Sequence, residues 1–130
     1  MKLLIAYGSQ GKFFHLKEFS ESLEKLGVET MLVKDIDFST GFPSKKPNEW
    51  IGTNKKFKNL INEFSPDAVF IDRQSHFGID TIKLKIPLFV LLRGHYWSEI
   101  EWARKTLYKD PLMKTVIWFR NNIAEKCFRN

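Results

Sequence analysis

The sequence predicts an α/β domain in which a parallel sheet is covered by helices on both faces. Short apolar runs alternate with segments of helical periodicity along the whole chain. Residues 1–34 already spell a strand, a glycine turn, a helix and a second strand, which together form a βαβ unit. A length of 130 residues is typical of one domain. Right-handed crossovers then make the sheet doubly wound.

The N-terminal unit is defined by apolar spacing. Residues 3–7 form a short apolar run that ends at Gly8, typical of a strand buried on both faces. Apolar residues at helical spacing mark the next helix: Leu16, Phe19, Leu23 and Leu26. Gly27 ends that helix, and residues 28–33 are predicted to form the second strand.

The middle of the chain begins with a predicted long loop. Residues 35–54 contain two glycines and two prolines without a sustained period, and long loops are often functional. Helical spacing returns at Phe57, Leu60, Ile61 and Phe64. Residues 68–71 are predicted to form the third strand, and residues 79–84 a short helix.

Residues 88–92 form the most hydrophobic run, and we predict that this fourth strand is central in the sheet. Helices are expected over residues 98–108 and from about Val116 to the end. These elements predict a Rossmann-like sheet with strand order 3-2-1-4. Because the last helix is followed by no strand, we expect a fragment of a longer protein.

Composition narrows the setting. Cys127 is the single cysteine, so an internal disulfide is excluded and a reducing cytoplasm is favoured. No run approaches the ~18 apolar residues of a membrane span. The net charge of +6 favours an anionic partner: nucleic acid, an acidic lipid surface or a phosphorylated small molecule.

The predicted site lies at the carboxyl ends of the strands, where parallel sheets bind ligands. Four segments follow strands there: residues 8–15, 34–37, 72–77 and 93–97. In the first, Gly8, Ser9, Gln10 and Gly11 precede a helix whose amides can cradle a phosphate or carboxylate. The alternative is a turn that merely needs glycine, since neither a dinucleotide fingerprint nor a P-loop is present.

All three histidines, His15, His76 and His95, fall in or beside these segments. Their spacing does not suit a metal, so a general base or a partner of an acceptor hydroxyl is the better functional role. We predict that His95 is catalytic and that Arg93 meets a phosphate or carboxylate. The alternative for His95 is a cap on the following helix.

A basic patch is predicted around Trp50. It comprises Lys45, Lys46, Lys55, Lys56 and Lys58. Such a patch can lie on an anionic membrane surface or grip a phosphate. The alternative is a set of solvated lysines around a locally packed tryptophan.

The ordered segments resemble the N-terminal domain of GT-B glycosyltransferases of the group 1 or family 4 type. The matching motifs are a Tyr-Gly-Ser-Gln-Gly loop at 7–11, Leu-Glu-Lys-Leu-Gly-Val at 23–28, Pro-Asp-Ala-Val at 66–69, Ile-Pro-Leu-Phe-Val at 86–90 with His95, and Ile-Ala-Glu at 123–125. The resemblance covers essentially the whole chain. Two departures are Lys12-Phe13-Phe14 before His15, and Lys85 where relatives have glycine.

This resemblance implies a hexosyltransferase whose C-terminal Rossmann-like domain binds the nucleotide sugar. The present domain would bind no cofactor or metal and would hold a glycan or lipid-linked acceptor, with Gly8 and Gly11 near the donor phosphates and His95 near the reacting sugar. We would then expect a cytoplasmic protein, peripheral at the membrane, with no nucleic-acid partner, whose residues 1–130 alone are inactive. The alternatives are a flavodoxin-like or receiver-like binding module, and a basic nucleic-acid-binding domain, for which no recognised motif is present.

Overall fold

The computed structural model describes residues 1–42, 54–92, 94–106 and 109–129. Four strands and six helices follow one another in these residues: β1 (Lys2–Tyr7), α1 (Gln10–Lys25), β2 (Glu29–Lys34), α2 (Asp35–Phe38), α3 (Lys55–Phe64), β3 (Ala68–Ile71), α4 (His76–Lys83), β4 (Leu88–Val90), α5 (Tyr96–Thr106) and α6 (Pro111–Phe128). All strand pairs are parallel, in the order β2-β1-β3-β4. The predicted α/β fold with a parallel, Rossmann-like sheet is therefore confirmed.

Two apolar layers hold the sheet. On one face, Leu3 and Ile5 of β1 pack with Leu16 of α1. The other face packs against α3, α4 and α6 through a cluster made of Leu4, Ala6, Val33, Phe57, Leu60, Phe64, Val69, Ile71, Phe77 and Cys127. Burying a side chain such as Phe57 or Phe77 contributes roughly 1.5–3 kcal/mol each, so this second layer dominates the stability of the fold.

The predicted strand order of 3-2-1-4 is wrong, because β3 joins β1 on the side away from β2. Both orders obey right-handed crossovers, and the alternation of elements specifies direction but not the side on which the third strand adds. The observed order moves the switch point to the gap between β1 and β3. The two segments that define the binding edge are therefore those after Tyr7 and after Ile71.

The prediction that the fourth strand is central is also wrong. Among the described strands β4 lies at the edge, and Phe89 is 58% exposed. Its neighbours Leu88 and Val90 pack against the larger apolar cluster, while Phe89 faces the α1 side of the sheet beyond the reach of α1. A fully apolar run arises equally from a strand with one buried face and one uncovered apolar face.

Other differences are small. The predicted loop over residues 35–54 begins with the short helix α2, while residues 43–53 lie outside the described residues. Helix α5 begins at Tyr96, before the predicted start at Ser98, and buries no residue. Every helix in the described part of the chain is too short or too polar to cross a bilayer.

Cys127 is buried in the larger apolar cluster, where its thiol lies 3.8 Å from the carbonyl oxygen of Ser75. Burial raises the pKa of the thiol to about 11, although the contact with Ser75 opposes this. Since the thiolate is the reactive form, the folded protein keeps Cys127 as an apolar packing residue rather than a nucleophile.

Candidate functional site

The segments after β1 and β3 are joined at the switch point by Asp72. This carboxylate is almost fully buried, and its Oδ1 accepts a hydrogen bond from the Gly8 amide over 2.9 Å. The second oxygen, Oδ2, has no hydrogen-bond partner and faces Lys12 Nζ at 3.4 Å. A buried carboxylate oxygen normally carries hydrogen bonds, so Oδ2 has capacity to accept one from a bound group in addition to its ion pair with Lys12.

A bidentate ion pair lies beside Asp72. Arg73 donates from Nε and Nη2 to the two carboxylate oxygens of Asp35, over 2.9 and 3.0 Å. Burial would lower the pKa of the guanidinium, but the hydrogen bond and charge of Asp35, with the charge of Asp72, raise it above its ordinary value. Arg73 therefore stays charged and fixes the end of β2 against the end of β3.

Two cavities open at this edge and share Arg73, Gln74 and Tyr96. The larger, of about 400 Å³, is lined by Asp35, Ile36, Ser39, Thr40, Gly41, Arg73, Gln74, Ser75, His76, Tyr96, Arg120, Ile123 and Ala124. The smaller, of about 250 Å³, is lined by Lys12, Asp72, Arg73, Gln74, Leu91, Leu92, Gly94, Tyr96 and Glu99. Together we call them the switch-point cleft. Its volume suits a small-molecule ligand, which typically occupies 300–1,000 Å³.

The cleft contains a second polar atom without a partner. Ser75 Oγ is buried at the wall of the larger cavity and makes no hydrogen bond. Around these atoms the cleft carries cations at Lys12, Arg73 and Arg120, and carboxylates at Asp35, Asp72 and Glu99. Such a mixture suits a ligand that bears both hydrogen-bond donors and an anionic group.

All four segments expected at the carboxyl edge contribute described residues to the cleft. Lys12 comes from the first, Asp35 from the second, Asp72 from the third, and Gly94 and Tyr96 from the fourth. The prediction that the glycine loop and the segment after β4 open at the same edge is confirmed by the smaller cavity. The sequence predicts this edge of the sheet as the binding edge but does not single out Asp72. An aspartate directly after a buried strand is the sequence signal that points to it.

The glycine loop occupies the start of α1. Ser9 is the N-cap and makes no side-chain hydrogen bond, while Gln10 and Gly11 are exposed in the first turn. Gly8 is packed against Arg73, since an added Cβ would lie 2.0 Å from Arg73 Nε. Gly11 has open space around it. The two glycines that the sequence treats alike are thus different in structure.

We therefore expect Gly8→Ala to displace Arg73 and weaken ligand binding at the cleft by at least about tenfold, because the Arg73–Asp35 pair shapes the wall. Gly11→Ala is the matched control and should leave binding unchanged, with a slight gain in helix stability. Isothermal titration calorimetry checks this by comparing the dissociation constants of the two variants for the ligand named under the proposed function below. Equal affinity in the two variants would contradict a positioning role for Arg73.

The histidines have separate surroundings. His76 lines the larger cavity, and its Nε2 lies 2.7 Å from the carbonyl oxygen of Phe42. His95 is exposed, and its Nδ1 accepts from the Ser98 amide at 3.2 Å, which is the geometry of a helix cap for α5. His15 is exposed on α1. The structure thus places His76 in the cleft and His95 at a helix start beside it.

Of the other predicted site residues, the described lysines do not line the cleft. Lys55 and Lys56 are exposed at the start of α3, whereas Arg93, Lys45, Lys46 and Trp50 lie outside the described residues. A further cavity of about 420 Å³ opens there, lined by Asn54, Lys55, Phe57, Lys58, Asp80, Lys83 and Leu84. Its buried carboxylate, Asp80, is already bonded by Ser39, Asn54 and Lys83, so it offers a ligand less than Asp72 does.

Comparison with known proteins gives a partial likeness. The chain is similar to the ribosomal RNA small subunit methyltransferase Nep1 of Pyrococcus furiosus, with 36% identity over 73 residues that cover 48% of this chain and 33% of that protein. The chain thus spans about a third of the length of this curated relative. No family model matches the chain, and no solved structure matches it.

This likeness overturns the expectation of a GT-B glycosyltransferase. The relative is named as an RNA methyltransferase. That name conflicts with hexosyl transfer, a nucleotide-sugar donor, a glycan or lipid-linked acceptor, a donor-binding partner domain and the exclusion of nucleic acid.

The motifs behind the glycosyltransferase resemblance have structural roles. Gly27 ends α1 with a positive φ of 83°, and Asp67 accepts from the Lys2 amide at the far end of the sheet. Ile86 and Pro87 lead into β4. Such residues are needed by any parallel α/β sheet and specify no chemistry.

Proposed function

We propose that this chain is part of an RNA methyltransferase and that the switch-point cleft holds its methyl donor, S-adenosylmethionine. The reaction class is supported by the likeness to an rRNA methyltransferase, and the net charge of +6 favours a nucleic-acid substrate. The place of the donor is supported by one observation above the others, the buried and unbonded Oδ2 of Asp72. The single cysteine favours the cytoplasm, and a ribosomal RNA substrate would be present in that compartment.

The chemistry of the cleft fits this donor. S-adenosylmethionine carries ribose hydroxyls, an adenine amine and an ammonium group, all of which donate hydrogen bonds. Asp72 Oδ2 and Ser75 Oγ are buried acceptors that would bind such groups. Lys12 and the first amides of α1 would meet the carboxylate of its methionine half.

The donor would supply a methyl group activated for attack by an RNA oxygen or nitrogen. The contribution of this chain is to bind and orient it. Arg73 and Asp35 hold the ends of β2 and β3 together, so the acceptor atoms of Asp72 and Ser75 keep a fixed separation. His76 lines the same cavity, and we propose that it contacts the bound molecule. For His95 we propose the capping role.

Calorimetric titration with S-adenosylmethionine tests this proposal. We expect saturable binding, and a donor concentration of a hundred times Kd should stabilise the fold by about 2.7 kcal/mol. Transfer of labelled methyl from the donor to small-subunit rRNA tests the reaction class in the full-length protein. An unchanged melting temperature and no binding heat at millimolar donor would overturn the proposal.

A further inference from the structure

Trp97 is an aromatic side chain that the fold holds in place but leaves half exposed. Its indole is 51% exposed at the first turn of α5. Three rings surround it: Tyr96 with centroids 5.6 Å apart, Phe128 at 5.4 Å and His95 at 6.2 Å. Contacts on several sides fix the orientation of the indole while the rest of its surface faces solvent.

The neighbouring Tyr96 connects this ring to the switch-point cleft. Tyr96 lines both cavities, and its hydroxyl donates to Asn121 of α6 over 3.1 Å. The Tyr96 ring also packs edge-on against both Trp97 and Phe128. The exposed indole therefore contacts a residue that lines both cavities of the cleft.

Cationic side chains lie near Tyr96 and the cleft, together with the carboxylates of Glu99 and Glu125. Arg120 is exposed at the wall of the larger cavity, and Arg104 is close enough for its charge to oppose the raised pKa of Tyr96, which burial and Glu125 cause. Lys12 lies at the smaller cavity. A rigid aromatic ring among cations, beside a cleft for a small molecule, is the arrangement with which proteins bind unpaired bases while tracking a phosphate backbone.

We propose that Trp97 is a stacking platform for an unpaired RNA base at the mouth of the switch-point cleft. The inference rests on the proposed function and names the substrate class of the same site, single-stranded RNA. The base stacks on the exposed indole, and its flanking phosphates meet Arg104 and Arg120. Because Tyr96, Phe128 and His95 already hold the indole, stacking orders few additional groups.

The chain offers a matched control. Trp102 lies on the same helix and is 59% exposed, but among the described residues it lacks the ring contacts that hold Trp97, and it lines a surface hollow with Ser98, Glu99 and Ala103. Comparing Trp102→Ala with Trp97→Ala therefore separates the effect of losing any exposed tryptophan from the effect of losing the proposed stacking platform. Trp97→Phe keeps an aromatic face at the platform, and thermal melting of each variant checks that the fold is retained.

The test measures binding of a fluorescein-labelled, unstructured RNA of twelve nucleotides by anisotropy, with a DNA duplex of similar length as the comparison. We expect Trp97→Ala to weaken binding of the single strand by about tenfold or more, the scale of one lost base stack. Trp102→Ala should change it by less than about twofold, and Trp97→Phe should retain most of the affinity. Duplex binding should be the same in all four proteins, because its bases are already paired and stacked.

Three results would overturn the inference. Equal single-strand affinity in the wild type and Trp97→Ala would show that the indole does not stack, and binding of S-adenosylmethionine by the same preparation would leave the proposed function standing. Equal losses in Trp97→Ala and Trp102→Ala would assign the effect to general surface binding. A wild type that binds neither the RNA nor S-adenosylmethionine would remove the proposed function together with the inference.

Discussion

Replacing Asp72 with asparagine should lower the affinity for S-adenosylmethionine by on the order of 10- to 100-fold. A hydrogen bond to a charged group contributes about 1.5–3 kcal/mol, and the substitution removes the charge from the unbonded Oδ2. The amide would retain an oxygen for the Gly8 amide, so the turn after β1 should keep its shape. The NH₂ group of the asparagine would then face Lys12 in place of Oδ2, and two hydrogen-bond donors would replace the ion pair.

The control for this substitution is Asp67→Asn. Asp67 also stands beside β3 and also accepts from a backbone amide, that of Lys2 at 2.7 Å, but it is exposed at the opposite end of the sheet. Calorimetric titration should show unchanged affinity in Asp67→Asn. If Asp72→Asn bound the donor as tightly as the wild type does, the cleft would not be the donor site.

Replacing Arg73 with alanine should lower the free energy of unfolding by about 2 kcal/mol. The change leaves the carboxylate of Asp35, with 3% of its side chain exposed, without its two hydrogen bonds from Arg73. Breaking a fully buried pair costs about 3–5 kcal/mol. Because the Arg73 side chain is 42% exposed, water can reach part of the gap, and the smaller figure follows.

Urea unfolding at neutral pH measures this loss. Lys105→Ala, which breaks the exposed pair with Glu101, should leave the urea midpoint almost unchanged, because solvent screens exposed charges. Adding Asp35→Asn to Arg73→Ala should restore part of the loss, because the unpaired buried charge disappears. A double variant less stable than Arg73→Ala would show that Asp35 stabilises the fold by some other contact.

The sequence predicted those parts of the fold that depend on local patterns. Residues 68–71 were assigned correctly as β3, because an apolar run between Pro66-Asp67 and a polar segment has few alternatives. The side of β1 on which β3 adds depends on packing between distant helices, and no local signal records it. The exposure of Phe89 could not be predicted for the same reason, because the identity of a side chain does not show which distant elements pack over it.

The sequence predicts which segments line the switch-point cleft, but the reaction class that it predicts is wrong. The ends of parallel strands meet at one edge whatever their order, so the four segments of the cleft followed from the alternation of elements. The pairing of Arg73 with Asp35, 38 positions apart in the sequence, depends on how β2 and β3 flank β1. The glycosyltransferase resemblance failed because it rested on turns and strand starts that many enzymes share.

The attachment of α5 has a consequence for how a ligand acts on the protein. This helix buries no residue, and its ring contacts with α6 come from Tyr96 and Trp97 in its first turn. Regions with so little buried surface open at a lower free energy than the sheet does. We therefore expect a local equilibrium in which the docked helix, with Trp97 held by its neighbouring rings, is the favoured form. A ligand that contacts Trp97 only in the docked form draws that equilibrium toward docking, so occupancy of the cleft mouth and order along α5 are thermodynamically linked.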